Sequence, residues 1–412
     1  MSAAILAQLP TVAAAWPRDA AGEFVVGGMA LSRVVDSVGG TPCYLYDRNL
    51  IGQRVRSLRR ALPDRVHLHY AIKANPMPAL VAQMAQWVDG LDVASAGELR
   101  RALDSGMPAA RISFAGPAKR LEELRRAHAA GVLVNVESAR ELRLLADLSD
   151  AAGHPARVAI RANLPFELKA SGMKMSGGAR PFGVDAERVP SLLAEIGVLG
   201  LAFEGFHLYA GSQNLRAEAI VEAQQRSFEL ALQWAAKAGS PLRSLNLGGG
   251  FGIPYHTGEA PLSMAPVLDN LAALAAELKR EAPQAHMVIE LGRYLVAEAG
   301  LYVCRVTERK VSRGQTFLMV DGGMHQHLAA SGHFGQVVRK NYPVAVNRSA
   351  QGTEVASVCG PLCTPMDVLA DKAPLAPAEE GDLVVVFQSG AYGKTASPRD
   401  FLGHSEPLEA LV

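Results

Sequence analysis

The chain has 412 residues, of which 49% are hydrophobic and 20% charged, and its formal net charge is +1. This length exceeds one ordinary hydrophobic core, so we expect two domains. The near-neutral charge gives no reason to expect nucleic acid or a membrane surface as a partner, and no apolar run reaches transmembrane length. Four scattered cysteines are too few for a disulfide framework, so we expect reduced thiols in a cytoplasm.

The N-terminal segment, residues 1–46, is predicted to join a β domain. Its first twenty residues are rich in alanine, but no basic segment precedes them, and Pro10 and Pro17 interrupt the apolar residues. We therefore expect a loosely packed N-terminus and no signal peptide. Residues 24–47 are predicted to form short strands around a Gly-Gly-Thr-Pro turn at residues 39–42.

Residues 47–300 alternate regularly between strand-like and helical patterns. The eight strand-like runs are residues 67–72, 91–95, 111–115, 131–136, 157–162, 203–209, 244–248 and 286–291. Runs with helical period lie between most of them, at residues 77–87, 97–105, 119–130, 138–149 and 216–238. Ser95 and Ser138 each precede a glutamate by three residues, which is typical of helix N-caps. The pattern predicts a closed (β/α)8 TIM-like barrel, although an open doubly wound α/β sheet would fit it too.

Residues 301–412 have a different character, because helical period is nearly absent. Strand-like runs occur at residues 301–307, 316–320, 354–359 and 382–388, and a Pro/Ala-rich linker is predicted at 373–380. We therefore expect a C-terminal all-β domain, completed by the N-terminal strands.

The first barrel strand leads into Lys73, and Asn75-Pro76 then ends the strand. A lysine at this position would lie at the mouth of the barrel, where catalytic groups collect. It could equally reach solvent through its long aliphatic stem.

Three further strand ends carry groups suited to an anion or a heterocycle. Glycines 248, 249 and 250 follow the seventh strand and could cradle a phosphate or simply form a tight turn; their spacing does not fit a dinucleotide fingerprint. Glu290 and Arg293 end the eighth strand and could pair with each other, or face a protonated ring and an anion. His207 ends the sixth strand shortly before Ser212. Together these groups could hold pyridoxal 5′-phosphate (PLP).

The segments around Lys73, His207, Gly248–Gly250, Glu290, Cys363 and Tyr392 resemble the barrel-type, alanine-racemase-like (fold type III) PLP decarboxylases. This is the family of diaminopimelate and ornithine decarboxylase, and the resemblance covers roughly residues 24–405. Residues 172–178, 360–367 and 387–393 look closer to a branch of secondary-metabolism and exopolysaccharide-associated decarboxylases. One member of that branch decarboxylates a glutamyl group held on an acyl carrier protein.

The resemblance implies a role for each matching residue. Lys73 would carry PLP as a Schiff base, His207 would stack on its ring, and Glu290 would keep the pyridine nitrogen protonated. The other implied cofactor contacts are Asp92, Ser212, Gly248, Gly249, Gly250, Arg293 and Tyr392, with Arg161 as a supporting residue. A homodimer with shared active sites is also implied, in which Cys363 of the partner subunit guides reprotonation of the substrate carbon. The expected substrate contacts are Arg293, Cys363, Thr364, Tyr392, Lys174 and Arg180.

The chain departs from diaminopimelate decarboxylases directly after this cysteine. Those enzymes resemble this chain but carry an acidic residue at this position, which pairs with a distal amine of the substrate. This chain has Thr364 there instead. The loop at residues 164–182 carries Lys169, Lys174 and Arg180 against the single acid Glu167. These features favour a substrate with an acidic distal part or one tethered to a carrier protein, unless the loop is merely solvated and flexible.

Several alternatives remain open from the sequence. Diaminopimelate decarboxylase, a barrel-type amino-acid racemase and a non-catalytic PLP-binding relative all share parts of the pattern. His325 and His327 are predicted to lie in a surface or active-site-rim loop and not to bind metal, and Cys359 and Cys363 lack the partners of a zinc site.

Overall fold

A computed structural model describes residues 16–169, 172–256, 258–334, 336, 339–348 and 352–412. The loosely packed terminus predicted for the first residues lies mostly outside these ranges, which begin at Trp16. The chain divides into two compact units. The barrel unit comprises Arg54–Ile253 and Pro261–Leu295, and the sheet unit comprises the described residues up to Gln53 with Pro254–Ala260 and Val296–Val412.

Eight parallel strands form the centre of the barrel unit. In chain order they are Val66–Ala71, Gly90–Val93, Ile112–Phe114, Leu133–Val136, Arg157–Asn163, Ala202–Leu208, Ser244–Gly249 and His286–Leu291. Each strand pairs with the next, and the eighth pairs with the first, with Glu290 opposite His69. Since the last pairing closes the cylinder, the predicted (β/α)8 barrel is confirmed and the open sheet is excluded.

Helices connect the barrel strands. Their bounds are Pro78–Ala85, Ala96–Asp104, Leu121–Ala130, Ala139–Ala152, Val189–Val198, Ala217–Ala235, Ala265–Glu281 and the short turn Arg293–Val296, preceded by Arg48–Ala61 before the first strand. The two predicted N-caps are confirmed: Ser95 Oγ accepts the Glu98 N–H at 3.2 Å, and Ser138 Oγ accepts the Glu141 N–H at 3.3 Å. In the part of the chain that the structure describes, none of the helices is long and apolar enough to cross a membrane.

The sheet unit is built around the long strand Gly300–Ser312. This strand pairs with Cys43–Tyr46, Gln315–Val320 and Leu383–Val386. Its other strands are Val25–Val26, Met29–Ala30, Val344–Val346, Glu354–Cys359, Val368–Leu375 and Leu408–Leu411. Because Cys43–Tyr46 lies between Gly300–Ser312 and Leu408–Leu411, the expected completion of the β domain by an N-terminal strand is confirmed.

The prediction of short strands throughout residues 24–47 is wrong in part, because Leu31–Val38 is a helix. Leu31, Val34 and Val35 lie on one helical face and are buried in the core of the sheet unit. This spacing of three and four residues is helical, and it should have outweighed the preference of valine for strands. Gly39, with φ of 104°, ends the helix.

The Pro/Ala-rich linker predicted at 373–380 begins later than expected. Val368–Leu375 is a strand that pairs antiparallel with Glu354–Cys359. It lies at the end of the strand order, so Pro374 occupies an edge strand, where the missing N–H of proline is tolerated. Pro374 therefore indicates an edge strand and not a linker.

Candidate active site

Lys73, His207 and Glu290 meet at the C-terminal ends of the first, sixth and eighth barrel strands. Lys73 lies in the short helical turn Ile72–Ala74 directly after the first strand, and 45% of its side chain is exposed. Its Nζ is 3.5 Å from Glu290 Oε1, and His207 Nε2 is 3.1 Å from Glu290 Oε2. The two carboxylate oxygens of Glu290 therefore face one cation and one imidazole.

Glu290 is a buried carboxylate that remains ionised. Burial alone would raise its pKa, but the charge of Lys73, the hydrogen bond and charge of His207 and the charge of Arg161 hold the pKa of Glu290 far below its usual range. The base of the site therefore carries a fixed negative charge, to which a protonated nitrogen could be bound.

Asp92 and Arg161 line the same cavity as Lys73, His207 and Glu290. Asp92 Oδ1 is 3.2 Å from His69 Nδ1 and accepts the hydroxyl of Ser113. Among the described residues, Asp92 Oδ2 has no hydrogen-bond partner. Arg161 lies 3.4 Å from Glu137 Oε1, so its charge is partly balanced from outside the cavity.

The cavity has a volume of about 140 Å³ and combines this charged base with aromatic and apolar walls. The walls include Met175, Phe182 and Tyr209, which the sequence analysis did not single out. Lys73 Nζ lies 5.6 Å from the centre of the Tyr209 ring. Tyr209 follows His207 by two residues, and the alternation of side chains along a strand could have placed both on one face.

The glycine run shapes the site mainly by close approach of backbones. A side chain on Gly248 would collide with Leu208 and Tyr209, one on Gly249 with the backbone of Glu290, and one on Gly250 with the carbonyl of Gly211. The Gly248 N–H donates to Asn246 Oδ1 at 2.7 Å. The Gly248 N–H is therefore already engaged within the protein, and the contact of the three glycines with a phosphate stays a prediction.

The loop after the fifth strand lies beside this glycine run. Met173–Lys174 pairs antiparallel with Gly211–Ser212. Lys169 Nζ is 3.0 Å from Glu222, and Arg180 is 3.2 Å from Glu167. The loop consequently has less unbalanced positive charge than its sequence indicated, because both of these cations have carboxylate partners.

Cys363, Thr364 and Tyr392 belong to the sheet unit. Cys363 is exposed, and Tyr392 has a φ of 55°, which costs energy for a non-glycine residue. Burial and the charges of Asp367 and Asp371 raise the pKa of Cys359 to about 11, so its thiol stays protonated. Within the described ranges no cluster of three or more His, Cys, Asp or Glu side chains could hold a metal ion.

The prediction of a surface or rim loop for His325 and His327 is wrong about burial, since neither side chain is exposed. The backbone between them is held by the Tyr44 hydroxyl, which donates to the Gln326 carbonyl at 2.7 Å. Burial lowers the pKa of His325 to about 4, with His404 contributing, and that of His327 to about 3. Both imidazoles are therefore neutral parts of the core of the sheet unit.

Comparison with known proteins supplies the context for this geometry. The pyridoxal binding domain of the pyridoxal-dependent decarboxylases matches residues 48–297. An L-glutamyl-[BtrI acyl-carrier protein] decarboxylase from Niallia circulans is 38% identical over 379 residues, which cover 90% of this chain and 88% of that protein. A diaminopimelate decarboxylase from Aquifex aeolicus is 32% identical over 379 residues, covering 90% and 86%.

Solved structures agree with the described fold. The crystal structure of diaminopimelate decarboxylase from Helicobacter pylori complexed with L-lysine matches with a TM-score of 0.83 and 27% identity. The match covers 92% of this chain and 94% of that structure. A barrel combined with a separate β-sheet domain is thus common to both proteins.

The residues at the mouth of the barrel fit PLP. Asp92 Oδ2, His207 Nδ1 and Ser212 Oγ are buried without a partner among the described residues, which is unusual unless a ligand completes their hydrogen bonds. The glycine run keeps side chains away from one part of the site, while Lys73 and Glu290 supply an amine and a fixed negative charge. With the sequence match across the whole barrel, these features show that the chain belongs to the pyridoxal-dependent decarboxylase family, with PLP as its cofactor.

Proposed function

We propose that this enzyme removes the α-carboxylate of an amino-acid group whose distal part is acidic or is tethered to an acyl carrier protein. The relative from Niallia circulans, named for a glutamyl group on a carrier protein, supports this substrate class. The observation that carries the proposal is the lack of an exposed acid in the loop at residues 360–367, where diaminopimelate decarboxylases resembling this chain place one.

Asp367 is the only acidic residue in that loop, and both of its carboxylate oxygens accept backbone hydrogen bonds. Its Oδ1 accepts the Met324 N–H at 2.6 Å, and its Oδ2 accepts the Leu362 N–H at 2.8 Å. The side chain is buried, whereas Cys363 nearby is exposed. Because Asp367 cannot turn outward without losing both bonds, the loop offers no counter-charge to a distal ammonium group.

The loop at residues 164–182 gives weaker support than its composition suggested. Lys169 and Arg180 have carboxylate partners at the surface, and such pairs contribute little and exchange readily. A substrate carboxylate or phosphate could displace Glu167 from Arg180. We therefore base the substrate class on the missing acid at Thr364 and treat Lys174 and Arg180 as secondary contacts.

The residues of the barrel unit have distinct proposed roles. PLP, when bound, supplies a conjugated system that accepts the electrons released when the carboxylate leaves. Lys73 Nζ is the amine that would hold the cofactor covalently. Glu290 keeps a proton on the pyridine nitrogen of the cofactor through its fixed negative charge, and His207 is oriented by its bond to Glu290.

The residues of the sheet unit are proposed to act from a partner subunit. By resemblance to the family, the enzyme is a homodimer in which Cys363 and Tyr392 of one subunit complete the site of the other, and the Cys363 thiol supplies the proton that replaces the lost carboxylate on the substrate carbon. Mixing inactive Lys73→Ala and Cys363→Ala subunits tests this arrangement, because one site of each mixed dimer is intact. Mixed dimers that form and stay inactive would contradict the shared site.

The substrate proposal is tested by comparing kcat/KM for four substrates. These are diaminopimelate, ornithine, free glutamate and a glutamyl group on an acyl carrier protein. We expect the carrier-bound group or free glutamate to be decarboxylated best, with release of carbon dioxide. Preferred turnover of diaminopimelate or ornithine would show that Thr364 has been misinterpreted, and racemisation without carbon dioxide would overturn the decarboxylase assignment itself.

A further inference from the structure

The short segment from Gly211 to Asn214 lies between two loops at the mouth of the barrel. On one side, Gly211–Ser212 pairs antiparallel with Met173–Lys174 of the loop after the fifth strand. On the other side, Asn214 forms a parallel bridge with Phe251, directly after the glycine run. The segment carries Ser212, whose buried Oγ is without a hydrogen-bond partner among the described residues. Such a hydroxyl is available to a ligand.

The side chain of Gln213 fastens this segment to Ile253, three residues after the glycine run. Its Nε2 donates to the Ile253 carbonyl at 2.5 Å, and its Oε1 accepts the Ile253 N–H at 3.2 Å. The backbone of Gln213 has a φ of 55°, a conformation that is unfavourable for a residue with a side chain. The two bonds to Ile253 stabilise this conformation, which turns the chain directly after Ser212.

Asn214 fastens the other end of the segment. It is fully buried, its Nδ2 donates to the Lys169 carbonyl at 2.8 Å, and its Oδ1 accepts the Arg216 N–H at 2.8 Å. Its backbone N–H donates to the Gly250 carbonyl at 2.9 Å, and its carbonyl accepts the Gly252 N–H at 2.8 Å. Asn214 therefore joins the loop after the fifth strand to the glycine run.

Glycines cannot hold a neighbouring segment through side chains, so the distance between Ser212 and the glycine run depends on backbone bonds and on the side chains of the segment itself. The two backbones already lie close together, because a side chain on Gly250 would meet the Gly211 carbonyl and one on Gly252 would meet the carbonyl of Asn214. Separation is opposed by the Gln213 amide, which bonds to Ile253, and by the Asn214 backbone, which bonds to Gly250 and Gly252, while the Asn214 amide ties the segment to Lys169. We name these two side chains the amide clamp.

We propose that the amide clamp positions the Ser212 hydroxyl against the glycine run, and that it sets the affinity of the enzyme for the phosphate of PLP while leaving affinity for the ring unaffected. Gln213 and Asn214 are positioning residues in this proposal, because neither needs to touch the cofactor. The proposal rests on the proposed role of Ser212 as a phosphate contact, and the experiment separates the two.

The test compares the binding of PLP and of pyridoxal, which lacks the phosphate, to apoenzyme variants. For Gln213→Leu we expect the Kd for PLP to rise roughly tenfold or more and the Kd for pyridoxal to change less than about threefold, the scale of losing buried hydrogen bonds at one subsite. Ser212→Ala should show the same selectivity for PLP. The double variant should lose less than the sum of the two effects, because both act on one contact.

Gln224→Leu is the matched control. Gln224 is likewise a glutamine whose side-chain oxygen accepts a hydrogen bond, from Asn270 Nδ2 at 3.0 Å, but it belongs to the helix Ala217–Ala235 and is more deeply buried than Gln213. This variant should lower thermal stability without changing the ratio of the two Kd values. Equal weakening of PLP and pyridoxal by Gln213→Leu would show a general structural role and overturn the proposal.

If Gln213→Leu does not fold, two milder variants test the amide clamp instead. Gln213→Glu keeps the oxygen that accepts the Ile253 N–H but loses the donor, and Asn214→Ser shortens the second half of the clamp; each should weaken PLP binding selectively. An unchanged ratio in both would overturn the clamp. If Ser212→Ala leaves the ratio unchanged, the phosphate site has been placed wrongly, and the clamp proposal falls with it.

Discussion

The barrel unit and the sheet unit bury polar side chains in different ways. In the barrel unit, several buried ionisable groups occur as pairs of opposite charge. Lys119 Nζ is 3.0 Å from Glu141 Oε2, and Glu290 lies between Lys73 and His207. Burying a charge is costly unless an opposite charge compensates it, so these pairs allow strong local fields to persist at the strand ends.

The centre of the sheet unit buries neutral groups instead. The Tyr302 hydroxyl donates to Gln326 Oε1 at 2.6 Å, and His327 Nε2 lies 2.9 Å from Ser389 Oγ. The Ala330 N–H donates to His327 Nδ1 at 3.2 Å, so Nε2 carries the single proton of a neutral ring. These residues connect loops of the sheet unit without adding charge.

Two buried histidines show what the difference depends on. Burial by itself disfavours the charged form, and it lowers the pKa of His327 to about 3. Burial acts in the same direction on His69 of the barrel, but the charge and hydrogen bond of Asp92 outweigh it and raise the pKa of His69 above its usual value. The partner, and not the degree of burial, therefore decides in which direction the pKa of a buried imidazole shifts. Changing such charged and buried groups one at a time should therefore separate their effects.

The largest effect is expected from removing the amine at the charged site. Lys73→Ala should lower turnover by about 10⁴-fold or more, on the order seen when a covalent catalytic group is lost. Borohydride reduction of the wild-type enzyme followed by peptide mapping should place the pyridoxyl group on Lys73. Label on another lysine, or near-normal turnover of the variant, would contradict this assignment.

Glu290→Gln removes the charge at the base of the cavity and keeps the shape of the side chain. We expect PLP to remain bound, as judged by its absorbance, and kcat to fall roughly 10²-fold or more, the scale of losing one preorganised electrostatic partner. Glu141→Gln is the control, because it neutralises another buried, ion-paired carboxylate of the barrel unit that does not line the cavity. Equal losses in both variants would mean that Glu290 acts through stability alone.

The sequence was sufficient to predict that Lys73, His207 and Glu290 lie together, but not the contacts that surround them, and their roles stay predictions. Lys73, His207 and Glu290 could be found because a parallel barrel brings the C-terminal ends of all its strands to one face. Residues predicted at strand ends are thus neighbours even when they are far apart in the chain. The residue types then restrict the chemistry, since a lysine, a carboxylate and a glycine run together suit PLP.

Contacts between a side chain and a distant backbone leave no periodic signal. The bonds from Gln213 to Ile253 join residues 40 positions apart, and the Tyr44 bond to Gln326 joins residues 282 positions apart. The amide clamp was consequently missed, and the segment at His325–His327 was misread as a surface or rim loop. Polar residues in a turn usually face solvent. Only the three-dimensional structure shows that Gln213 is partly buried and that Asn214, His325 and His327 are fully buried.

The buried, neutral His327 should make the folded protein less stable at acidic pH. The imidazole of His327 stays neutral in the folded protein until about pH 3, whereas an unfolded chain protonates its histidines near 6.5. Since the unfolded state binds more protons between these values, stability falls as the pH is lowered through this window. Between pH 7 and pH 5 this residue should account for a loss of about 2 kcal/mol in the free energy of unfolding.

Hydrogen exchange of peptides from the strand Gly300–Ser312 at pH 7 and pH 5 measures this loss for the sheet unit. His327→Gln should flatten the dependence on pH, whatever its effect at pH 7. The exposed His333 of the same unit offers the control His333→Gln, which should leave the slope unchanged. A wild-type slope in His327→Gln would mean that other groups cause the acid sensitivity.

The smallest effect on stability is expected from His69. Its dependence on pH has the opposite sign to that of His327, because stability is lost as the pH rises. Because its folded pKa is raised, the stability that it contributes is fully present below the unfolded value of about 6.5 and is lost as the pH rises through the folded pKa. The effect should be small, since burial opposes the attraction of Asp92, Glu290 and Asp89. Hydrogen exchange of the strand Val66–Ala71, corrected for intrinsic rates, should show wild type losing protection as the pH rises above about 6.5 and His69→Gln losing less. If His69→Gln instead loses more protection at alkaline pH than wild type, His69 is neutral when folded, and the contrast between the two buried histidines disappears.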